Sequence, residues 1–143
     1  MNRINLICLG VRDMAKSVTF YRDGLGFETK EIEDNPTVIF FNNAGTKLEL
    51  YPIDLLSDDF GGILPTLEPN QFNGMTLAYN TKSKEEVAST ISLARQSGAR
   101  ILKEPQDVFW GGYHAYFADP DNYVWEVCWN PEMPFDESDM VIV

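Results

Sequence analysis

The stretch Asp119-Pro120-Asp121-Asn122-Tyr123-Val124-Trp125-Glu126-Val127-Cys128-Trp129 decides how this chain is read. Proline fixes φ, and Asp and Asn tolerate turn conformations, so residues 119–122 predict a turn. The aromatic and β-branched residues after it have the composition of a strand. Alternation puts Trp125, Val127 and Trp129 on one face of that strand and Val124, Glu126 and Cys128 on the other. An apolar face carrying two indoles belongs in a core. Glu126 therefore points away from the core, across the sheet.

The segments before this strand give the rest of a unit. Residues 75–79 read as a strand. Ser83 followed by Glu86 is a capping box, and Val87, Ile91, Leu93 and Ala94 form the apolar side of a helix that ends at Gly98. Strands are predicted at 100–103, 113–117 and 123–129. The first half has the same order. A strand at 4–11 precedes the N-cap Asp13, which has Lys16 where a capping box has Glu or Gln. Met14, Val18, Phe20, Tyr21 and Leu25 give a helical stripe closed at residues 24–26. Strands follow at 27–32, 37–41 and 47–51, separated by turns at 34–36 and 42–45. This repeat predicts an α+β fold of two βαβββ modules at a spacing of about 70 residues. The modules form a curved mixed sheet with helices on its convex face and an open cup. Module 1 spans residues 1–52, a linker 53–72, module 2 73–131 and an acidic tail 132–143. The linker, with Asp54, Asp58, Asp59, Gly61, Gly62, Pro65 and Pro69, is long enough to suggest a lid.

With 143 residues the chain is expected to be a single domain, and 44% hydrophobic with 23% charged residues is ordinary for a globular protein. A net charge of −11 argues against nucleic acid or an anionic membrane as partner. No run approaches the ~18 apolar residues of a membrane span. The opening residues lack the features of a secretion signal, which predicts a cytoplasmic protein. Cys8 and Cys128 lie in apolar runs without metal-ligand spacing and read as buried free thiols in a reducing compartment.

On the fourth strand Leu48 and Leu50 share one face, and Lys47, Glu49 and Tyr51 the other. Glu49 and Glu126 then occupy the same place in their modules, both facing the cup. Either carboxylate is alternatively a solvated group, and Glu126 alternatively the partner of Arg3, Lys47 or Arg100. In a dry cup Glu126 is the candidate catalytic base. The single histidine, His114, has a position set by the turn after it. A four-residue turn pairs Ala115 with Glu126, aiming Tyr113, Ala115 and Phe117 into the cup and His114 and Tyr116 away; an odd-length turn reverses this. A lone strand histidine is more often structural. Tyr51, Phe60, Phe72, Tyr79, Trp110 and Tyr113 fall at strand ends or in loops, where rings stack on a flat organic ligand or pack in a core or dimer contact.

Three local patterns resemble the vicinal-oxygen-chelate superfamily of glyoxalase I, extradiol dioxygenases and fosfomycin- and bleomycin-resistance proteins. Residues 9–17 with Phe20-Tyr21 and Leu25-Gly26-Phe27 look like its first strand and helix, Leu48-Glu49-Leu50 like its fourth strand, and Ala118 to Asn122 leading to Trp125-Glu126-Val127 like its closing hairpin. The resemblance implies paired βαβββ modules, a small-molecule cup and, in the metal-using members, a divalent cation. Its ligands there are a last-strand Glu and a first-strand residue, typically His, seven places before the Asp that opens the helix. Glu49 and Glu126 match the last-strand positions and are the candidate metal ligands. Leu6 stands at the first-strand position, and Met75 or its neighbours Gly74 and Thr76 at the second, so no metal or other cofactor is expected. The ligand pocket is expected to include Glu49, Tyr51, Met75, Trp110, Tyr113 and Glu126. The leading reading is a homodimeric, metal-free binder of a small organic molecule, or an enzyme without the metal route. The alternative is a divalent-metal-dependent lyase, isomerase or dioxygenase. A third reading makes association the main task.

Overall fold

Two mixed β-sheets, one in each half of the chain, form in the computed structural model, which describes residues 3–62 and 71–142. The chain divides into two compact units, Met1–Glu68 and Pro69–Val143.

In the first unit β1 (Leu6–Val11) lies parallel to β3 (Lys47–Pro52), and β2 (Ile39–Phe41) pairs antiparallel with the other side of β3. Between β1 and β2 runs α1 (Met14–Val18), capped by the Asp13 carboxylate, which accepts from the Lys16 N–H at 3.0 Å. The helix widens into a π-helical stretch, Thr19–Gly24, closed by the Leu25 N–H on the Phe20 carbonyl at 2.9 Å. The wider turn brings Phe20 and Tyr21 inward together. Tyr21 meets Phe20, Phe27 and Phe41 with ring centroids 5.1, 5.6 and 5.9 Å away. Leu9, Val11, Leu48 and Leu50 complete this core, on the alternation read from the sequence.

Two expectations for this half differ from the structure. The strand predicted at 27–32 does not form. Phe27 turns into the aromatic core, and the Thr29 hydroxyl donates to the Phe40 carbonyl at 2.8 Å. This side-chain bond and a single backbone bond, from the Asn42 N–H to the Glu28 carbonyl at 2.7 Å, stand where a continuous ladder was expected. The linker is also not wholly structureless. Residues Ile53–Asp59 form a helix, α2, packed on β1 and β3. Its Ile53 and Leu56 lie against Gly10, where an added Cβ would meet them at 3.0 and 3.2 Å. The predicted loop residues Pro65 and Pro69 lie outside the described residues.

In the second unit the strand order is β4-β7-β6-β5, formed by Thr76–Thr81, Val124–Trp129, Tyr113–Ala118 and Arg100–Asp107. β4 is parallel to β7, and β6 runs antiparallel to both neighbours. α3 (Lys84–Gln96) covers one face of this sheet. Its capping box forms in a shifted version. Ser83 Oγ accepts from the Glu86 N–H at 3.2 Å, and the Glu86 carboxylate takes the N–H of Lys82 at 2.7 Å. Val87, Ile91 and Ala94 are buried against Ala115, Phe117 and Val127, while Leu93 is exposed. The rings of Phe117 and Trp125 stack, 6.0 Å apart and 5° from parallel. The acidic tail folds back on this unit. Phe135 bridges to Val141, and Lys82 pairs with Asp139 and lies 5.8 Å over the Phe135 ring.

The stacked Trp125 is only 8% exposed, so deleting its ring removes a large apolar area from a packed layer. Trp125→Ala is expected to lower unfolding stability by about 3–5 kcal/mol. Urea denaturation measures this, and a midpoint equal to that of the parent protein would put the indole outside the core.

Candidate functional site

The turn after β6 sets the site. Ala118 pairs with Val124, so residues 119–123 form a five-residue loop rather than a four-residue turn. Asp119 organises it: one carboxylate oxygen accepts the N–H groups of Asp121 and Tyr123 at 2.9 and 2.8 Å, and Asn122 takes a φ of 71°. The extra residue shifts the register by one. Tyr116, not Ala115, lies across from Glu126.

This shift corrects the expected facing of β6. His114 and Tyr116 share the face of Glu126, opposite α3. Tyr113, Ala115 and Phe117 lie on the helix-covered face with Trp125, Val127 and Trp129. Tyr113 therefore does not join Glu126; Lys84, at the start of α3, sits 5.4 Å over its ring and 5.5 Å over that of Trp129. Met75 precedes β4 on the phase of Leu77 and Tyr79, away from Glu126, whose partner on β4 is Ala78.

The side chains beside Glu126 form one hydrogen-bonded network. Glu126 Oε1 accepts from the Tyr116 hydroxyl at 2.6 Å and lies 3.1 Å from His114 Nδ1. His114 Nε2 is 2.7 Å from Lys103 Nζ. An ammonium only donates, so Nε2 accepts and the ring hydrogen sits on Nδ1, aimed at the carboxylate. Both donors use Oε1, and Oε2 takes neither bond. Trp110 stands beside the network, its ring 6.4 Å from that of His114 and nearly perpendicular to it. The ring lies so close over Gly112 that a Cβ there would come within 1.8 Å of it. Gly112 is thus needed for the ring to lie where it does. Arg100, a candidate partner for Glu126, instead reaches Asn122 at 3.2 Å.

The first unit has a smaller counterpart. Glu49 lies across from Cys8 on β1 and accepts its thiol hydrogen. Tyr51 shares that face, across from Gly10. Burial pushes the Cys8 thiol up to about 12, helped by the Glu49 carboxylate and the charge of Asp59. Burial and the charge of Glu126 push Cys128 up to about 11. Both thiols are free and stay protonated near neutrality.

These donors do not fit a divalent metal. Leu6 lies across from Lys47, and Glu49 faces a protonated thiol. The imidazole nitrogen turned away from Glu126 already faces an ammonium. Among the described residues no three His, Cys, Asp or Glu side chains gather closely enough to hold an ion. No helix among the described residues is long and apolar enough to cross a membrane.

Sequence reasoning left His114 and Tyr116 open between the two faces of the sheet and gave Lys103 no place in the network. The signal that locates the first two is the length of the Asp119–Tyr123 loop, because one residue more or less inverts β6. Lys103 carried no such signal. The ladder between β5 and β6 shifts register on either side of it, between Ile101 and Lys103 and between Lys103 and Gln106.

The family model described as Glyoxalase/Bleomycin resistance protein/Dioxygenase superfamily matches residues 3–127. The uncharacterized protein YraH of Bacillus subtilis (strain 168) is 30% identical over 122 residues, covering 85% of this chain and 93% of that protein. The mitochondrial methylmalonyl-CoA epimerase of Mus musculus is 34% identical over 79 residues, 52% of this chain and 43% of the epimerase. Among solved structures, a glyoxalase-related enzyme from Fulvimarina pelagi superposes with a TM-score of 0.87 at 29% identity, over 100% of this chain and 99% of its own.

Burial, the hydrogen bond to Glu126 and the charges of Glu126 and Cys128 push the Tyr116 phenol up to about 12 from an ordinary value of 10.0. Between these values the unfolded chain loses its phenol proton before the folded one does. The unfolded state then binds fewer protons, so stability falls as pH rises through that window. Tyr116→Phe is expected to flatten the decline in unfolding free energy between pH 10 and about 12, which denaturant titrations across that range would measure. An unchanged slope in the variant would remove the phenol from the network.

Proposed function

Since the chain belongs to the glyoxalase/bleomycin resistance protein/dioxygenase superfamily, we propose that it binds a small, planar organic compound bearing an O–H or N–H donor, without a divalent metal. The observation that carries this reading is the Glu126 carboxylate. Tyr116 and His114 hold it through one oxygen on the sheet face opposite α3, and the ring of Trp110 stands beside it. A carboxylate oriented in this way accepts a hydrogen bond from a ligand without first rearranging. An indole ring supplies apolar area to a flat molecule at small entropic cost. The second strand-borne acid, Glu49, is turned to Cys8, so Glu126 is the residue on which recognition centres.

The His114–Glu126 hydrogen bond favours a second reading. A carboxylate positioned by an imidazole serves as a general base, and the partial match to an epimerase makes isomerisation of an organic acid the reaction class to test. Glu126 would take the proton from the substrate carbon and return it in forming the isomer, and Lys103 would hold the His114 tautomer.

A thermal-shift screen of phenols, catechols and aromatic amides, run in EDTA, tests the primary reading. Hits are expected to bind equally well with and without EDTA. Their affinity is expected to fall about tenfold in Glu126→Gln, the loss of one charge-assisted hydrogen bond. Binding that appears only with a stoichiometric divalent metal would refute it.

The same reading takes the protein to be a cytoplasmic homodimer. It rests on the two free thiols, on rings such as Phe72 and Phe109 that are 64% and 102% exposed, and on the prevalence of two-fold dimers. Light scattering at micromolar concentration is expected to give twice the 16.2 kDa chain mass; the single-chain mass would exclude the dimer.

A further inference from the structure

Lys103 reaches the Glu126 network from a place that a regular strand would not give it. Arg100 and Ile101 pair with Ala118 and Phe117. Continued without a break, that ladder would set Lys103 across from Ala115, on the face covered by α3. The register shifts between Ile101 and Lys103, so Lys103 stands across from Tyr116 instead, on the face of Glu126. Bulges are frequent beside active sites, where they re-aim a side chain in this way.

The partner of its ammonium sets this lysine apart. Lys82 and Lys84 pair with the carboxylates of Asp139 and Asp107, and Lys47 donates to the Asn43 carbonyl. Lys103 Nζ donates to an imidazole, His114 Nε2, at 2.7 Å, and among the described residues no carboxylate lies within ion-pair distance of it. A carboxylate or a carbonyl is a poor base toward an ammonium, whereas an imidazole nitrogen is the side-chain base suited to neutral pH. The other ring nitrogen, Nδ1, faces Glu126 Oε1 at 3.1 Å, where a carboxylate stabilises an imidazolium. Amine, imidazole and carboxylate thus have the relation of a nucleophile to a base that a third group orients. His114 is buried, while Lys103 and Glu126 are half-buried and keep a side open to solvent.

We infer that Lys103 is a nucleophile toward the carbonyl carbon of a small aldehyde or ketone, with His114 as its base. His114 Nε2 takes one ammonium proton, which frees the lone pair of Nζ. That pair forms the C–N bond, and the carbonyl π electrons move to oxygen. One Nζ proton then passes to that oxygen, giving a carbinolamine. His114 returns its proton to the hydroxyl, water leaves, and the nitrogen lone pair closes the C=N bond of a protonated imine. Ammonium and carbonyl compound become iminium and water, and His114 is neutral at both ends. Glu126 acts here as a positioning residue for His114. The inference adds a covalent step to the Glu126 reading and rests on the same network being the site.

The probe that tests it is para-hydroxybenzaldehyde, which carries a flat ring, a phenol and an aldehyde. It is incubated with the full chain and sodium cyanoborohydride, which reduces an imine to a stable secondary amine. Peptide mass mapping then gives the labelling rate at each lysine. Lys103 is expected to label saturably and at least about tenfold faster than the exposed Lys16 and Lys30, a modest share of the roughly 10²–10⁴ that a positioned base contributes. In His114→Gln the side chain still accepts from Nζ but is no base. This variant is expected to lower the maximal rate at Lys103 about tenfold, and by more than it raises the half-saturating concentration. Lys103→Arg keeps a donor to Nε2 and is expected to retain the parent's unfolding midpoint while labelling only at the slow surface rate. Labelling of Lys103 no faster than of Lys16 and Lys30 would overturn the inference, and so would an equal Lys103 rate in His114→Gln. The corresponding alcohol, para-hydroxybenzyl alcohol, has the phenol without the carbonyl and separates the two readings. If it binds and loses affinity in Glu126→Gln while Lys103 stays unreactive, the covalent step falls and the Glu126 reading stands. Fast labelling of Lys103 with an alcohol affinity that Glu126→Gln leaves untouched supports the covalent step and counts against the noncovalent reading.

Discussion

The parallel pairing of β4 with β7, one face sealed by α3, is the constraint on which the second unit depends. A strand buried on one face has its register fixed, because a slip of one residue would exchange that face for the other. Here the buried face carries Trp125 and Val127, and a slip would expose an indole and bury a carboxylate. That cost holds Glu126 opposite α3. β6 must then match β7, and the Asp119 carboxylate, by gathering the Asp121 and Tyr123 amides, sets the length of the connection that makes the match. Core packing and site geometry are two consequences of one register.

The network around Glu126 is built from mutual satisfaction rather than from accumulated charge. Its carboxylate has a phenol and an imidazole as donors, and the imidazole has an ammonium as donor on its other side. Half-buried polar groups are stable when each finds a partner, and such a network rigidifies the face that carries it. The same completeness bears on metal chemistry. An imidazole bracketed by a carboxylate and an ammonium has no free lone pair for an ion. The face opposite α3 thus presents hydrogen-bond donors and acceptors, and it is such a site, not the fold, that carries function.

The first unit uses the same plan with different contents. A first strand lies parallel to a last strand, and a carboxylate faces away from the α1-side core. Its neighbour is a thiol on β1 instead of an imidazole on an antiparallel strand. The expected strand at 27–32 gives way to the Phe27–Tyr21–Phe41 ring cluster and the Thr29 side-chain bond. That irregular edge places Thr29, Lys30 and Glu31 along an open groove beside β2.

What the sequence determined by itself was periodic and local. The alternation in β3 and β7, the caps at Asp13 and Ser83, the breaks at the glycines and the repeated element order are each legible within a few residues, because they follow from backbone geometry. They were enough for the fold class and for the side of the sheet on which Glu49 and Glu126 lie. Tertiary structure decided which residues surround those acids. His114 and Tyr116 reach Glu126 because a loop contains five residues rather than four, a choice made by side-chain hydrogen bonds within the loop. Lys103 joins them across a β5–β6 ladder whose register is irregular. Met75 and Tyr113 fall on the other face for the same reason, since strand parity is local but its phase against a neighbouring strand is a long-range quantity.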